Sequence, residues 1–390
     1  MGAAQPTDDA GLYVDSPESL AQFVERLAGS DWFAIDTEFL RERTYYPRLC
    51  LIQIATPDII GCVDPLAIDD LSPLYGLLQN PAVTKVMHAC SQDLEVLYQL
   101  TGQMPTPLFD TQLAAPLLGY PDQIGYANLV QEVLGVRLEK GHARTDWSLR
   151  PLDAKQIAYA LDDVRYLAPL YQEVHARLET AGRLRWLDED FRRYTAVERY
   201  RQSPDDAWRR IKGVDRLRPA SLAVLQALAG WRERMAQQKN RPRNWILRDD
   251  LLLEIARRRP ESQEALRKIR DIPERTLNRL GDELIHLVSE AGTRQPEPLP
   301  KAGREGRPTP AQEALADLLL AYLTVLADQQ SINPSSLATR RQLLALVRGD
   351  RDVPLLHGWR NELAGRELTA LLAGERVLAV KDGVVTARDT

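Results

Sequence analysis

The hydrophobic pattern changes period once along this chain, at about residue 203, and that change bounds the folds available to it. Before it, short apolar runs rich in Ile and Val alternate with amphipathic stretches of helical period. Residues 33–39 (FAIDTEF), 51–55 (LIQIA), 59–63 (IIGCV) and 85–88 (KVMH) read as strands. Helical patterns run over 17–27, 71–79, 93–100, 111–118, 126–134 and 153–178; the first opens with Ser16 as N-cap and Pro17 at the first helical position. The turns Tyr46-Pro47 and Thr56-Pro57-Asp58 predict an antiparallel meander of early strands, and the later helix-strand alternation a mixed sheet with helices packed on it. The first 200 residues are therefore expected to form an α/β domain.

After residue 203 the strand signal disappears. A helical, Arg-rich stretch continues to Glu290, and the Pro/Gly-rich residues 291–310 have the composition of a linker. A second helical stretch follows to about Leu372, and VLAVKDGVVTA reads as a hairpin turning at Asp382-Gly383. Sliding the middle stretch by 91 positions superposes Trp231 on Tyr322, Ala236 on Ala327, Ile246 on Leu337, Leu252 on Leu343 and Ile255 on Leu346 without a gap. Both copies carry a proline between helices, Pro242 and Pro334, which points to a duplicated helical module.

The formal charge of -5 is unevenly spread. Residues 1–206 carry -13, residues 207–290 carry +7 and residues 291–390 carry +1. An acidic half repels a polyanion unless cations intervene, whereas a basic middle, with Arg257, Arg258 and Arg259 at its centre, attracts one. With 390 residues, 44% of them hydrophobic and 27% charged, the chain has the make-up of a globular protein of two or three domains. No apolar run approaches the roughly 18–20 residues needed to cross a bilayer, and MGAAQPTDDAG lacks signal-peptide features, so the cytoplasm is the expected compartment. Three cysteines (Cys50, Cys62, Cys90) without CxxC spacing are expected to be buried free thiols rather than disulfide or zinc ligands.

The chemistry lies in the acids of the first half. Asp36 and Glu38 are two apart on a strand, so both carboxylates project from one face of an apolar segment, where uncompensated anions are costly. Asp93 begins an apolar helical stretch and, taken alone, reads as a helix cap. Tyr159 and Asp163 are four apart and share a helix face, while Asp162 points elsewhere. Four carboxylates from three segments plus one tyrosine form a pattern suited to two-metal phosphoryl chemistry. Hard oxygen ligands favour two Mg²⁺ or Mn²⁺ ions, and a Tyr suits orienting a water better than deprotonating it.

These residues resemble the DEDD superfamily of 3'→5' exonucleases, in its Tyr-containing branch. Its three motifs match DTEF at 36–39, HACSQDLEVL at 88–97 and YALDD at 159–163. Residues 43–55 (RTYYPRLCLIQIA), 109–115 (FDTQLAA) and 144–152 (RTDWSLRPL) extend the likeness, and the paired modules look like HRDC domains, helical nucleic-acid-binding units. The resemblance implies a ribonuclease H-like α/β exonuclease domain over 1–202, HRDC domains over 203–290 and 311–375, a linker over 291–310 and a tail over 376–390. It further implies Asp36, Glu38, Asp93 and Asp163 as ligands of two divalent ions, with Tyr159 orienting the attacking water. The implied reaction shortens RNA from a free 3' end and releases 5'-monophosphates, with tRNA precursors the usual substrate and a monomer sufficient. The nearly neutral second module would shape a funnel more than grip RNA.

A DNA-directed exonuclease and a non-catalytic RNA-binding scaffold are the alternative readings. Tyr45, Tyr46, Tyr126 and Trp147 are aromatic candidates for stacking on bases, with core packing the blander role of each. Arg43, Arg144 and Arg150 could equally contact phosphate or form ion pairs. For His88 and His142 a satisfied structural role is expected.

Overall fold

The computed structural model describes residues 11–138, 145–299 and 307–390. His142 and Arg144 lie outside the described residues. The chain forms two compact units: Met1–Glu38, Leu49–Ala196 and Arg307–Thr390 make the first, Phe39–Arg48 and Val197–Gly306 the second.

In the first unit, strands β1 (Leu12–Val14), β2 (Trp32–Leu40), β3 (Arg48–Ala55), β4 (Ile60–Val63), β5 (Thr84–Met87) and β6 (Leu108–Asp110) form one sheet in the order β1-β4-β3-β2-β5-β6. β3 and β4 pair antiparallel, whereas β1–β4, β2–β5 and β5–β6 are parallel, so the sheet is mixed as expected. β1 and β6 were not foreseen: at three residues each, neither displays a readable alternation. Helices α1 (Pro17–Leu27), α2 (Ser72–Leu78), α3 (Ser91–Thr101), α4 (Thr111–Ala114), α5 (Tyr126–Leu134), α6 (Ala154–Arg165), α7 (Leu167–Thr180) and α8 (Asp188–Tyr194) accompany it. α1 starts at the foreseen cap, where Ser16 and Ser19 exchange side-chain and backbone hydrogen bonds. Its Phe23 lies against Gly61 of β4, where an added Cβ would come within 3.0 Å of the ring and of the Leu12 carbonyl. The other face of the sheet, at Ala34, Ala55 and Val86, is covered by Leu170, Val174 and Leu178 of α7. The single pattern read over 153–178 is two helices, broken at Tyr166.

The second unit is helical: α9 (Val197–Tyr200), α10 (Pro219–Gln238), α11 (Arg243–Ile246), α12 (Asp249–Arg258), α13 (Gln263–Arg267) and α14 (Glu274–Ala291). Its core gathers Trp208, Trp231, Leu252 and Leu284 together with Tyr45. Residues 292–299 continue along this core, where Gln226 exchanges hydrogen bonds with the Glu297 backbone and Leu299 packs.

The first unit also contains the second helical module, α15 (Pro310–Gln329), α16 (Arg340–Val347), α17 (Gly358–Arg360) and α18 (Arg366–Ala373), and the hairpin β7 (Arg376–Lys381)–β8 (Val384–Asp389). The hairpin turns at Asp382 and Gly383, both at positive φ, as its sequence foretold. Among the described residues, α15 is long and apolar enough by composition to cross a bilayer, its most apolar 18-residue window averaging a mean hydropathy of 1.2, although it contains no continuous apolar run of that length. Leu319, Tyr322, Leu323 and Ala327 of this helix are buried in the module's core with Leu343 and Leu368, and Glu313, Asp317 and Asp328 interrupt it. The module is tied to the α/β domain within the unit. Trp359 stacks on Trp186 at 4.4 Å and 7°, and the buried Arg360 reaches Asp190 at 2.6 Å. The three cysteines are free and buried, as expected.

Candidate active site

Ala34 of β2 and Ala55 of β3 share one core cluster, so strand alternation puts Asp36, Glu38 and Gln53 on that same face. Cys62, opposite Gln53 in the β3–β4 register, lies there as well. Burial, then the charges of Asp163 and Glu38, push its thiol up to about 12.

Asp93 arrives from α3. The capping role considered for it is overturned, because the N-cap is Cys90 and Asp93 is the third residue of the helix, within its first turn. Asp110 organises this turn: its carboxylate accepts from the backbone N–H groups of Ala89 (3.2 Å) and Cys90 (2.9 Å) and caps α4 through Gln112 (2.7 Å) and Leu113 (3.3 Å). Asp93 is thereby left to accept a 2.5 Å hydrogen bond from the Thr37 hydroxyl, between Asp36 and Glu38 on β2. Tyr159 and Asp163 share a face of α6, while Asp162 turns to Arg165 at 3.1 Å.

Electrostatics tie these acids together. Burial, then Asp93, Asp163 and Glu38, raise the Asp36 carboxyl well above the usual range. Burial, then Asp163 and Asp93, push Glu38 up to about 8. Burial and the neighbouring Asp162 and Asp93 bring Asp163 to about 7. Burial also raises Asp93, to about 6, against the stabilising Thr37 hydrogen bond. Tyr159 is driven to about 12 by burial, then by Asp163, Glu38 and Asp36. The four acids and the tyrosine foreseen in the sequence therefore feel one another in one crowded, low-dielectric spot. They are neighbours without forming a coordination shell: among the described residues, no three His, Cys, Asp or Glu groups are close enough together to hold an ion as they stand.

The donor set fits hard divalent cations. It consists of carboxylate oxygens only, whose mutual repulsion a cation relieves. Gln53 adds a second sign. Both polar atoms of its carboxamide are fully enclosed and meet no hydrogen-bond partner, on the same face as Asp36 and Glu38. Leaving such a group unsatisfied costs about 1–3 kcal/mol, so its place beside the acids suits a site that gains polar atoms when loaded.

The other candidates divide clearly. Tyr45 is in the second unit's core, where its hydroxyl donates to Glu233, so it offers no stacking platform. Tyr46 is exposed, and Tyr126 donates to the Asp162 carbonyl at 2.9 Å. Trp147 is buried and stacks on Tyr159, with ring centroids 6.3 Å apart. Arg43 is exposed. Arg150 forms the ion-paired alternative: all its N–H groups meet protein acceptors, including Asp64. His88 is structural, held between the Thr111 hydroxyl (2.8 Å) and the Ile124 carbonyl (3.1 Å), and burial lowers its pKa. Thr37, Gln53 and Asp110 were missed. A lone polar residue inside LCLIQIA was the available signal for Gln53; Asp110 stood inside FDTQLAA without a role.

Comparison with known proteins shows the family. The 3'-5' exonuclease family matches residues 12–179 and the HRDC domain family residues 221–288, so the chain is a nuclease with an exonuclease domain of ribonuclease H-like fold and an HRDC domain. It is 41% identical over 378 residues to ribonuclease D of Sphingobium indicum, covering 95% of this chain and 97% of that one. Ribonuclease D of Bartonella henselae is 37% identical over 371 residues, covering 93% and 90%. The crystal structure of Escherichia coli RNase D, an exoribonuclease involved in structured RNA processing, superposes with a TM-score of 0.81 at 34% identity, covering 93% and 98%. The chain belongs to the ribonuclease D family.

Proposed function

We propose that this 3'→5' exoribonuclease works through two divalent cations, Mg²⁺ or Mn²⁺, held by Asp36, Glu38, Asp93 and Asp163. When bound, such a pair supplies an activated water on one side of the scissile phosphodiester and stabilises the leaving oxygen on the other. The chain's own residues prepare that chemistry. Thr37 holds one Asp93 oxygen, and Asp110 holds the turn that delivers Asp93. Tyr159, with its phenol near 12, keeps its proton at neutral pH. It therefore orients the attacking water by a hydrogen bond rather than deprotonating it, a role that supports the reading of the Tyr-containing branch of the superfamily. The products are 5'-monophosphates.

The observation that carries this reading is the mutual electrostatic burden of four acids from three separate segments. The supporting test is Mg²⁺-dependent shortening of a 3'-labelled single-stranded RNA by the wild type and by Asp36→Asn. The variant is expected to be slower by at least ~10³, several kcal/mol of transition-state stabilisation. Equal rates would refute the assignment.

Finer features belong to the same proposal. The second module is a further HRDC domain: α10 and α15 each span 20 residues at the 91-position offset, and Trp231 and Tyr322 each donate to a glutamate of their own module, Glu283 and Glu367. Precursors of tRNA are the proposed substrates, the protein acts as a monomer, and its free thiols suit the cytoplasm.

A further inference from the structure

Tyr159 rests on Trp147, and Trp147 in turn is held in place by one arginine. The Trp147 ring is 4% exposed and inclined 26° to that of Tyr159. Its backbone belongs to the short segment 145–153, which leads directly into α6 and contains Arg150. The Arg150 guanidinium has five N–H donors in a rigid fork, and every one has a fixed acceptor. Nε and Nη2 donate to the two Asp64 oxygens at 2.5 and 2.7 Å. Nη2 also donates to the Cys50 carbonyl on β3 at 2.7 Å. Nη1 donates to the carbonyls of Trp147 and Leu149, both at 2.8 Å.

Asp64 is itself fixed. It directly follows β4 and accepts from the Tyr13 hydroxyl (2.6 Å) and the Leu66 N–H (2.9 Å). Three residues beyond Arg150, Asp153 caps α6 in a reciprocal box with Gln156. The segment is thus pinned to the sheet at one end and to the helix carrying Tyr159 at the other. A bidentate arginine–carboxylate pair fixes direction as well as distance, which a lysine cannot reproduce.

We propose that Arg150 is a positioning residue for Tyr159: clamped to Asp64 and Cys50, it holds Trp147 as the wall that sets the angle of the tyrosine ring in the active site. This rests on the reading of Tyr159 as the residue that orients water. Small misplacements of such a group are expensive, of order 10²-fold for about 1 Å.

The test is steady-state trimming of a 3'-labelled single-stranded RNA in Mg²⁺ by the wild type, Arg150→Lys, Tyr159→Phe and the double variant. Arg150→Lys is expected to lower kcat about tenfold or more and leave KM within about twofold, whereas the double variant is no more than about twofold slower than Tyr159→Phe. Trp147→Ala should reproduce the Arg150→Lys defect, and Trp147→Phe, which keeps a ring against the tyrosine, should restore most of kcat. Mn²⁺ affinity, measured calorimetrically on Arg150→Lys, should stay within about twofold of wild type, as it would not if the site had collapsed. Losses that multiply in the double variant, a raised KM at intact kcat, or wild-type kcat in Trp147→Ala would each overturn the proposal. Wild-type kcat in Tyr159→Phe would instead overturn the reading of Tyr159, and the inference with it, in an arm where Arg150 is unchanged. Should Arg150→Lys fail to fold, the two Trp147 variants carry the test.

Discussion

α10 and α15 are helices of equal length beginning at Pro219 and Pro310, yet the modules built on them use their charged residues in opposite ways. In the first, residues 207–290 carry +7, and the buried charge is turned inward: Glu233, fully enclosed, meets Arg243 at 2.5 Å and accepts from Tyr45, whose ring lies under the Arg243 guanidinium. Arg257 and Arg258 stay at the surface. In the second, residues 291–390 carry +1, and the buried cation faces the α/β domain: Arg360 bonds Asp190 and the Ser336 carbonyl beside the Trp186–Trp359 stack. One helical module thus has a surface that suits a polyanion, and the other acts as a brace within the catalytic unit. Sequence similarity at core positions preserves the fold and says nothing of that division.

The contrast can be broken most sharply in the cores. Glu233→Ala takes the enclosed carboxylate from Arg243 and from the Tyr45 hydroxyl, leaving both with the neutral Gln202 as acceptor, so the second unit should lose about 3–5 kcal/mol in urea unfolding; a loss below 1 kcal/mol would show that the enclosed pair is incidental. Arg360→Ala removes charge-assisted bonds to a partly exposed partner, and about 1.5–3 kcal/mol is expected from the unit that contains it. Equal effects of the two changes would erase the distinction drawn between them.

Salt dependence sharpens the same comparison at the level of RNA. Changing Arg257, Arg258 and Arg259 to Gln should weaken RNA binding and flatten the slope of log K against log salt, by somewhat under one unit per lost phosphate contact. The same change at Arg341, Arg348 and Arg351 of the second module should leave that slope unaltered. Matching slopes would mean that both modules grip RNA.

The smallest effect concerns the acidic site rather than either module. Its carboxyls titrate higher in the folded protein, Asp93 near 6, Asp163 near 7 and Glu38 near 8, than in an unfolded chain near 4. Their contribution to stability is therefore fully present below about pH 4 and lost as pH rises through about 6 to 8. In EDTA the melting temperature should fall by a few degrees over that range, and Mn²⁺ should offset the fall. A flat profile in EDTA would mean that the acids do not burden one another.

Local features were legible because they depend on neighbours in the chain. Ser16-Pro17 and the Asp382-Gly383 turn carry their own geometry, and α1 and α5 have the ends that their apolar periods mark. Strand alternation and helical spacing paired Asp36 with Glu38 and Tyr159 with Asp163. What brought the pairs together was family likeness, since no local rule reports that β2 and α3 meet through Thr37 and Asp93. Asp93 shows the limit well: beside a helix start an aspartate looks like a cap, and its bond to Thr37 on a strand fifty-six residues earlier leaves no trace in the local sequence. Tyr45 was equally opaque, because its partners Glu233 and Arg243 are nearly two hundred residues away. Three-residue strands such as β1 and β6 are too short for any period to register.

The central claim is most directly tested by anomalous diffraction from crystals soaked in Mn²⁺. Two peaks about 3.5–4 Å apart, ligated by oxygens of Asp36, Glu38, Asp93 and Asp163, are the expected result. Manganese bound elsewhere, with these four carboxylates left unligated at saturating metal, would contradict it.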